Sequence, residues 1–94
     1  MTMPFDWDEE KADENRKKHG ISFDEAKSVF RDSFTITIDD PDHSEKEQRF
    51  IDIGYSRKGR ILIVVYTERG KITRIISCRK ATLTERKKYE QQFF

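Results

Sequence analysis

The side chains able to do chemistry in this 94-residue sequence are a set of arginines and a few proton carriers. Arg49 opens the stretch Arg49 to Ser56 and Arg79 closes the run Ile72 to Arg79. Both stretches read as strands, so both guanidinium groups stand near the ends of rigid elements. An arginine stays charged, and its planar fork can hold two phosphate oxygens at once. That suits the two residues to a phosphodiester whose negative charge grows as it is cleaved. Such a cleavage also needs a base and an acid. His43, in Asp42-His43-Ser44-Glu45, has the residue type for either, and the flanking acids favour its protonated form, an acid. Glu68, in Tyr66-Thr67-Glu68-Arg69, could act as the base if an arginine holds it. Each has a plainer role: an idle loop histidine, a turn residue with a surface ion pair, and for Arg79 a pairing with an acid such as Glu68 or a cap on the last helix. His19 ends a helical stretch and reads mainly as a charge matched to the helix dipole.

Arg74, Lys80, Arg86 and Tyr89 are candidates for holding flanking nucleic acid. Simple alternation along the strand puts Arg74 on the opposite face from Arg79. Only one of them should then touch the scissile phosphate, and Arg79 is preferred. Arg86 and Tyr89 lie three apart on the last helical stretch and share a side. Beside the strands, Arg86 would reach phosphate and Tyr89 would stack on a base; the alternative puts the Tyr89 ring in the core. The acidic cluster Asp39, Asp40, Asp42, His43 and Glu45 lacks the glycine of a calcium loop and has one imidazole, so neither a metal nor another cofactor is expected. Cys78 is the only cysteine, which rules out an internal disulfide.

The net charge of +1 conceals an asymmetry. Through Ser56 there are 8 Lys and Arg against 15 Asp and Glu; from Arg57 onward there are 11 against 3. A basic second half suits a polyanionic partner, nucleic acid above all, unless the two halves neutralise each other across the fold. With 34% apolar and 39% charged residues the chain should form one domain with a thin core, filled by its aromatic side chains. No apolar run approaches the roughly 18 residues of a membrane helix, and the first residues lack a signal peptide's pattern, so a cytoplasmic protein without membrane contact is expected.

These residues must be positioned by a hairpin, Arg60 to Arg79, whose arms meet at Glu68-Arg69-Gly70-Lys71. Its first arm, Ile61 to Tyr66, is apolar throughout and reads as the centre of a sheet. Phe34 to Ile38 alternates as an outer strand, and Arg49 to Ser56 is another. Phe5-Asp6-Trp7 fits a small edge strand or a plug. Asp8 and Gly20 bracket one helix, Ser22 to Glu25 opens a second, and Thr82 to Glu85 opens a third. The expected fold is α+β: a four-stranded antiparallel sheet with two N-terminal helices and one C-terminal helix.

Several phrases together, among them N-R-K-K-H-G-I-S-F-D-E-A, R-F-I-D-I-G-Y-S, V-V-Y-T-E-R-G and R-I-I-S-C-R-K-A-T, resemble the BrnT family of type II toxins. The resemblance runs from Phe5 to about Glu90. It implies a RelE-like sheet, metal-independent RNA cleavage that blocks translation, and neutralisation by a BrnA-like antitoxin. That antitoxin carries a ribbon-helix-helix domain, so operator DNA is met only through it. Two alternatives stay open: a non-catalytic basic module that binds nucleic acid, and a basic surface that mainly receives an acidic antitoxin segment.

Overall fold

The computed structural model describes residues 4–40 and 47–93. Its sheet has five strands in the order β1-β5-β4-β3-β2, with β1 Phe5–Asp6, β2 Ile36–Asp40, β3 Arg49–Tyr55, β4 Ile61–Arg69 and β5 Ile72–Lys80. Strands β2 to β5 form the antiparallel meander that their short connections dictate. Gly70, at φ 62°, closes the β4–β5 turn. The fifth strand corrects the four-stranded expectation: β1 pairs parallel to β5, with Phe5 opposite Thr73 and Asp6 opposite Arg74. Two residues are too few to show an alternation, so the sequence could offer an edge strand there but not its partner.

One irregularity decides how the sheet presents its side chains. Val65 lies opposite Ser77, yet the next residue, Tyr66, lies opposite Ile75. Ile76 is therefore extra, a β-bulge that changes the phase of β5. Cross-strand partners share a face. Thr73, Ile75 and Cys78 consequently share the helix-covered face, while Arg74, Ser77 and Arg79 share the other. The expectation that Arg74 and Arg79 stand on opposite sides is thus overturned.

The helices are α1 Glu9–His19, α2 Phe23–Ser28 and α3 Leu83–Glu90, and 3₁₀ turns follow α2 and α3. Their caps match the sequence: the Asp8 carboxylate accepts from the Glu10 and Lys11 amides, Gly20 ends α1 in the left-handed region, and Thr82 and Glu85 form a capping box. Ile21, Phe23, Ala26 and Val29 pack on Leu62, Val64, Tyr66, Ile75 and Cys78 to make the main core. On the opposite face α3 covers one end of the sheet, where Tyr89 packs with Ile53 and Ile63. No helix among the described residues is long and apolar enough to cross a membrane.

Helix α1 is polar on nearly every side, so hydrophobic burial does little to hold it. Asn15 does that work. Its Nδ2 donates to the carbonyls of Ile21 (3.0 Å) and Cys78 (2.8 Å), and its Oδ1 accepts from the Cys78 amide (3.0 Å). Because β1 pairs with only two residues of β5, the edge beyond them is bare, and the carboxamide of Asn15 substitutes there for a missing strand residue. Asn15→Ala would leave the Cys78 amide without its partner in a buried site, at about 2 kcal/mol. For a domain of this size we expect the melting temperature to fall by roughly 10 °C. A thermal scan matching the parent within about 2 °C would show that the edge does not depend on this residue.

Candidate active site

The face of the sheet away from α1 and α2 holds a cleft of about 520 Å³. Its floor is aliphatic, made by Ile38, Ile51, Ile53, Ile63 and Val65 from β2, β3 and β4. Its rim is polar, with three cations and one carboxylate among six residues: Lys18 and His19 from the end of α1, Ser77 and Arg79 from β5, and Glu85 and Lys88 from α3. The end of α1 reaches this face because Asn15, one helical turn before His19, is fastened to Cys78 beside Arg79. The floor offers a flat apolar surface, the rim fixed positive charge.

Arg79 is held in place rather than loose. Its Nη1 and Nη2 donate to Glu85 Oε1 (2.7 Å) and Oε2 (2.9 Å), a two-pronged pair. Glu85 also accepts from the Thr82 amide at 2.8 Å, so one carboxylate caps α3 and aims the guanidinium. The hydrogen bond from Arg79, aided by Thr82 and the arginine's charge, outweighs burial and holds the Glu85 carboxyl at about 2. The side chain of Arg79 remains 42% accessible, enough for a second anion to approach.

Two rows further along β4 the pairing register lines up Asp6, Arg74, Thr67, Arg49 and Asp40 across all five strands on this same face. Arg74 donates to Asp6 at 2.7 Å. Between the two arginines, the Thr67 side chain is 1% exposed and its hydroxyl has no hydrogen-bond partner among the described residues. The four residues from Ile63, beside Arg79, to Thr67 span about 13 Å of strand. The face therefore carries two arginine stations, each flanked by carboxylates, with aliphatic surface between them.

The sequence pattern of a family described as "Ribonuclease toxin, BrnT, of type II toxin-antitoxin system" matches residues 7–85. The chain belongs to the BrnT family. The crystal structure of the Brucella abortus ribonuclease toxin BrnT is similar to it, at 25% identity and a TM-score of 0.66, over 86% of this chain and 99% of that one. No curated protein matches. The matched segment includes every rim residue of the cleft except Lys88, and the whole of the Arg74–Thr67–Arg49 row.

Within this BrnT-family fold the residues singled out in the sequence separate into groups. Arg49, Arg74 and Arg79 come together on the open face. Glu68 and Lys80 do not: they lie opposite Thr73 and Leu62, on the helix side, because their strand positions alternate away from the arginines. Tyr89 is 3% exposed, and its hydroxyl donates to Asp32 at 2.5 Å, so no ring face is left for a base to stack on. Arg86 is exposed on α3 and lies 3.9 Å from Glu90. His43 lies outside the described residues. Cys78 borders the cleft, but burial pushes its thiol to about 12, so it stays protonated at neutral pH. Of the rim, sequence reasoning singled out Arg79 for the site; His19 was read mainly as a charge matched to the helix dipole, and Lys18, Ser77, Glu85 and Lys88 were not assigned to it.

Proposed function

We propose that this BrnT-family ribonuclease toxin is a metal-independent endoribonuclease that works on the open face of its sheet. The 2′-oxygen of the substrate attacks the adjacent phosphorus, and fixed arginines stabilise the charge that builds on the phosphoryl oxygens. Arg79 holds the scissile phosphate at the cleft. Arg49 and Arg74 hold flanking backbone phosphate about 13 Å away along the sheet. The observation carrying this reading is the bulge at Ile76, which brings Arg74 and Arg79 to one side with Arg49. Aliphatic surface between the two stations suits unstacked bases, and Arg86 adds positive charge at the margin.

By cutting RNA the toxin stops translation in the cytoplasm. A BrnA-like ribbon-helix-helix antitoxin neutralises it and links the complex to operator DNA. The test is cleavage of a defined RNA by the purified chain, freed of antitoxin, in excess EDTA. We expect a 2′,3′-cyclic phosphate and a 5′-hydroxyl at the cut, and no cut where that nucleotide carries a 2′-deoxyribose. Intact RNA, or cleavage that returns only with a divalent cation, would reject the reading.

A further inference from the structure

We infer that His19 is the proton acceptor of the reaction, taking the 2′-hydroxyl proton of a nucleotide seated in the cleft between α1, β5 and α3. This rests on the ribonuclease reading above and assigns a residue that the reading leaves open. The cleft borders are chemically unequal. Lys18, Arg79 and Lys88 are donors in their charged forms and cannot accept. Both oxygens of Glu85 are engaged by Arg79, and the carboxylate is too weakly basic to take a hydroxyl proton. Ser77 offers only a neutral hydroxyl. Imidazole is the one side chain on this rim designed by its chemistry to accept a proton near neutral pH.

Position favours the same residue. Gly20 turns the chain away immediately after His19, at φ 71°, and leaves the ring half-buried at the lip of the cleft. One turn back, Asn15 fixes the helix to both backbone groups of Cys78, whose neighbour is Arg79. The acceptor and the phosphate-holding cation are thus carried by two elements locked together at one point. Asn15 is a positioning residue in this scheme, with no contact to substrate.

The step balances without a co-reactant. The 2′-oxygen forms its bond to phosphorus as His19 removes the proton. The bond from phosphorus to the 5′-oxygen breaks, that oxygen takes a proton from solvent water, and His19 returns its own to solvent. A cyclic phosphate and a 5′-hydroxyl result, with no net consumption of water.

The experiment compares His19→Gln with the parent chain, both checked for folding by thermal melting. The variant should lose roughly 10²–10³-fold in kcat/KM. Its Kd for an uncleavable 2′-deoxy oligonucleotide should stay within about threefold. The acidic limb of the parent's pH–rate profile, where an imidazole base would be lost to protonation, should vanish. Besides His19, the groups facing the cleft are Lys18, Ser77, Cys78, Arg79, Glu85 and Lys88, and the carboxyl and thiol among them are held at about 2 and about 12, far from neutrality. In a second variant, His19→Ala, added imidazole should restore part of the rate, which a purely structural role would not allow. Undiminished cleavage and an unchanged pH profile in His19→Gln would overturn the assignment, as would a loss confined to His43→Gln. A parent chain that cuts nothing would instead sink the ribonuclease reading, and this assignment with it.

Discussion

Arg79→Ala is expected to lower RNA cleavage by about 10³-fold while weakening RNA binding by less than tenfold. The difference follows from what the side chain does. Removing one preorganised donor from a developing oxyanion costs on the order of 10²–10³ in rate, and a guanidinium that contacts two phosphoryl oxygens sits at the upper end. Ground-state binding is shared with Arg49, Arg74 and the lysines of the rim, so its loss should be partial. Arg79→Lys keeps a charge without the fork and should recover only a minor part of the rate. The pairing with Glu85 supplies an internal control. Glu85→Gln keeps a side chain able to cap α3 but removes the competing anion. Binding to an uncleavable RNA should then tighten at low salt, because phosphate no longer shares the guanidinium with a carboxylate. If Arg79→Ala lowers cleavage and binding by the same factor, the residue is a docking contact and the transition state is stabilised elsewhere.

The largest expected effect on stability comes from the helix side. Glu25 is 0% exposed and accepts from Arg60 twice and from the Ser56 hydroxyl at 2.8 Å, which ties α2 to the β3–β4 turn. Glu25→Ala leaves Arg60 and Ser56 without their partner, and breaking a buried pair costs about 3 kcal/mol or more. Against the 5–15 kcal/mol typical of whole domains, that is a large fraction. A urea melt should show the midpoint falling steeply with an unchanged slope. Replacing both Glu25 and Arg60 by methionine should recover much of the loss, because no uncompensated charge then remains. Burial by itself would raise the Glu25 carboxyl, but hydrogen bonds from Arg60 and Ser56 and the charge of Arg60 outweigh it, leaving the group below its ordinary 4.5. The unfolded chain therefore takes up a proton first as pH falls. The stabilisation is fully present above about 4.5 and drains away as pH drops through the lower folded value. Asp52 works in the other sense, since burial exceeds the help it receives from Thr37 and Tyr66 and raises it above 3.8, costing stability as pH rises through that range. An acid melt of Glu25→Ala whose shape matches the parent's would contradict this account.

Much of the fold could be read from local patterns. The hairpin, the three helix starts and the glycine stop of α1 each depend on residues within a few positions of one another, and such signals survive folding. What escaped depends on distance. Phe34 and Thr35 alternate like strand residues but stay outside β2, because the Asp32 carboxylate takes the Phe34 amide proton and the Thr35 hydroxyl donates to the Val29 and Asp32 carbonyls. Tyr89 is drawn inward by Asp32, 57 residues earlier. The arginines were recognisable as phosphate ligands by type, but their common face was not. Ile75 and Ile76 are both apolar, so the composition of β5 gives no hint that one of them stands outside the ladder. His19 was visible and undervalued, since nothing in a polar helix announces which end will be pulled against the sheet.

Counting, rather than chemistry, governs the second arm of the hairpin. Exchanging Ile76 for valine changes one methylene; removing the residue leaves a regular ladder in which Arg74 and Arg79, now four apart, still lie opposite Thr67 and Ile63 on the open face. A point substitution and a single-codon deletion at that position should therefore both keep the cations gathered on one surface, with a mild loss of packing in one and a straighter strand in the other, whereas a pairing that took Ile76 into the ladder opposite Val65 would place Arg79 opposite Leu62, on the helix side.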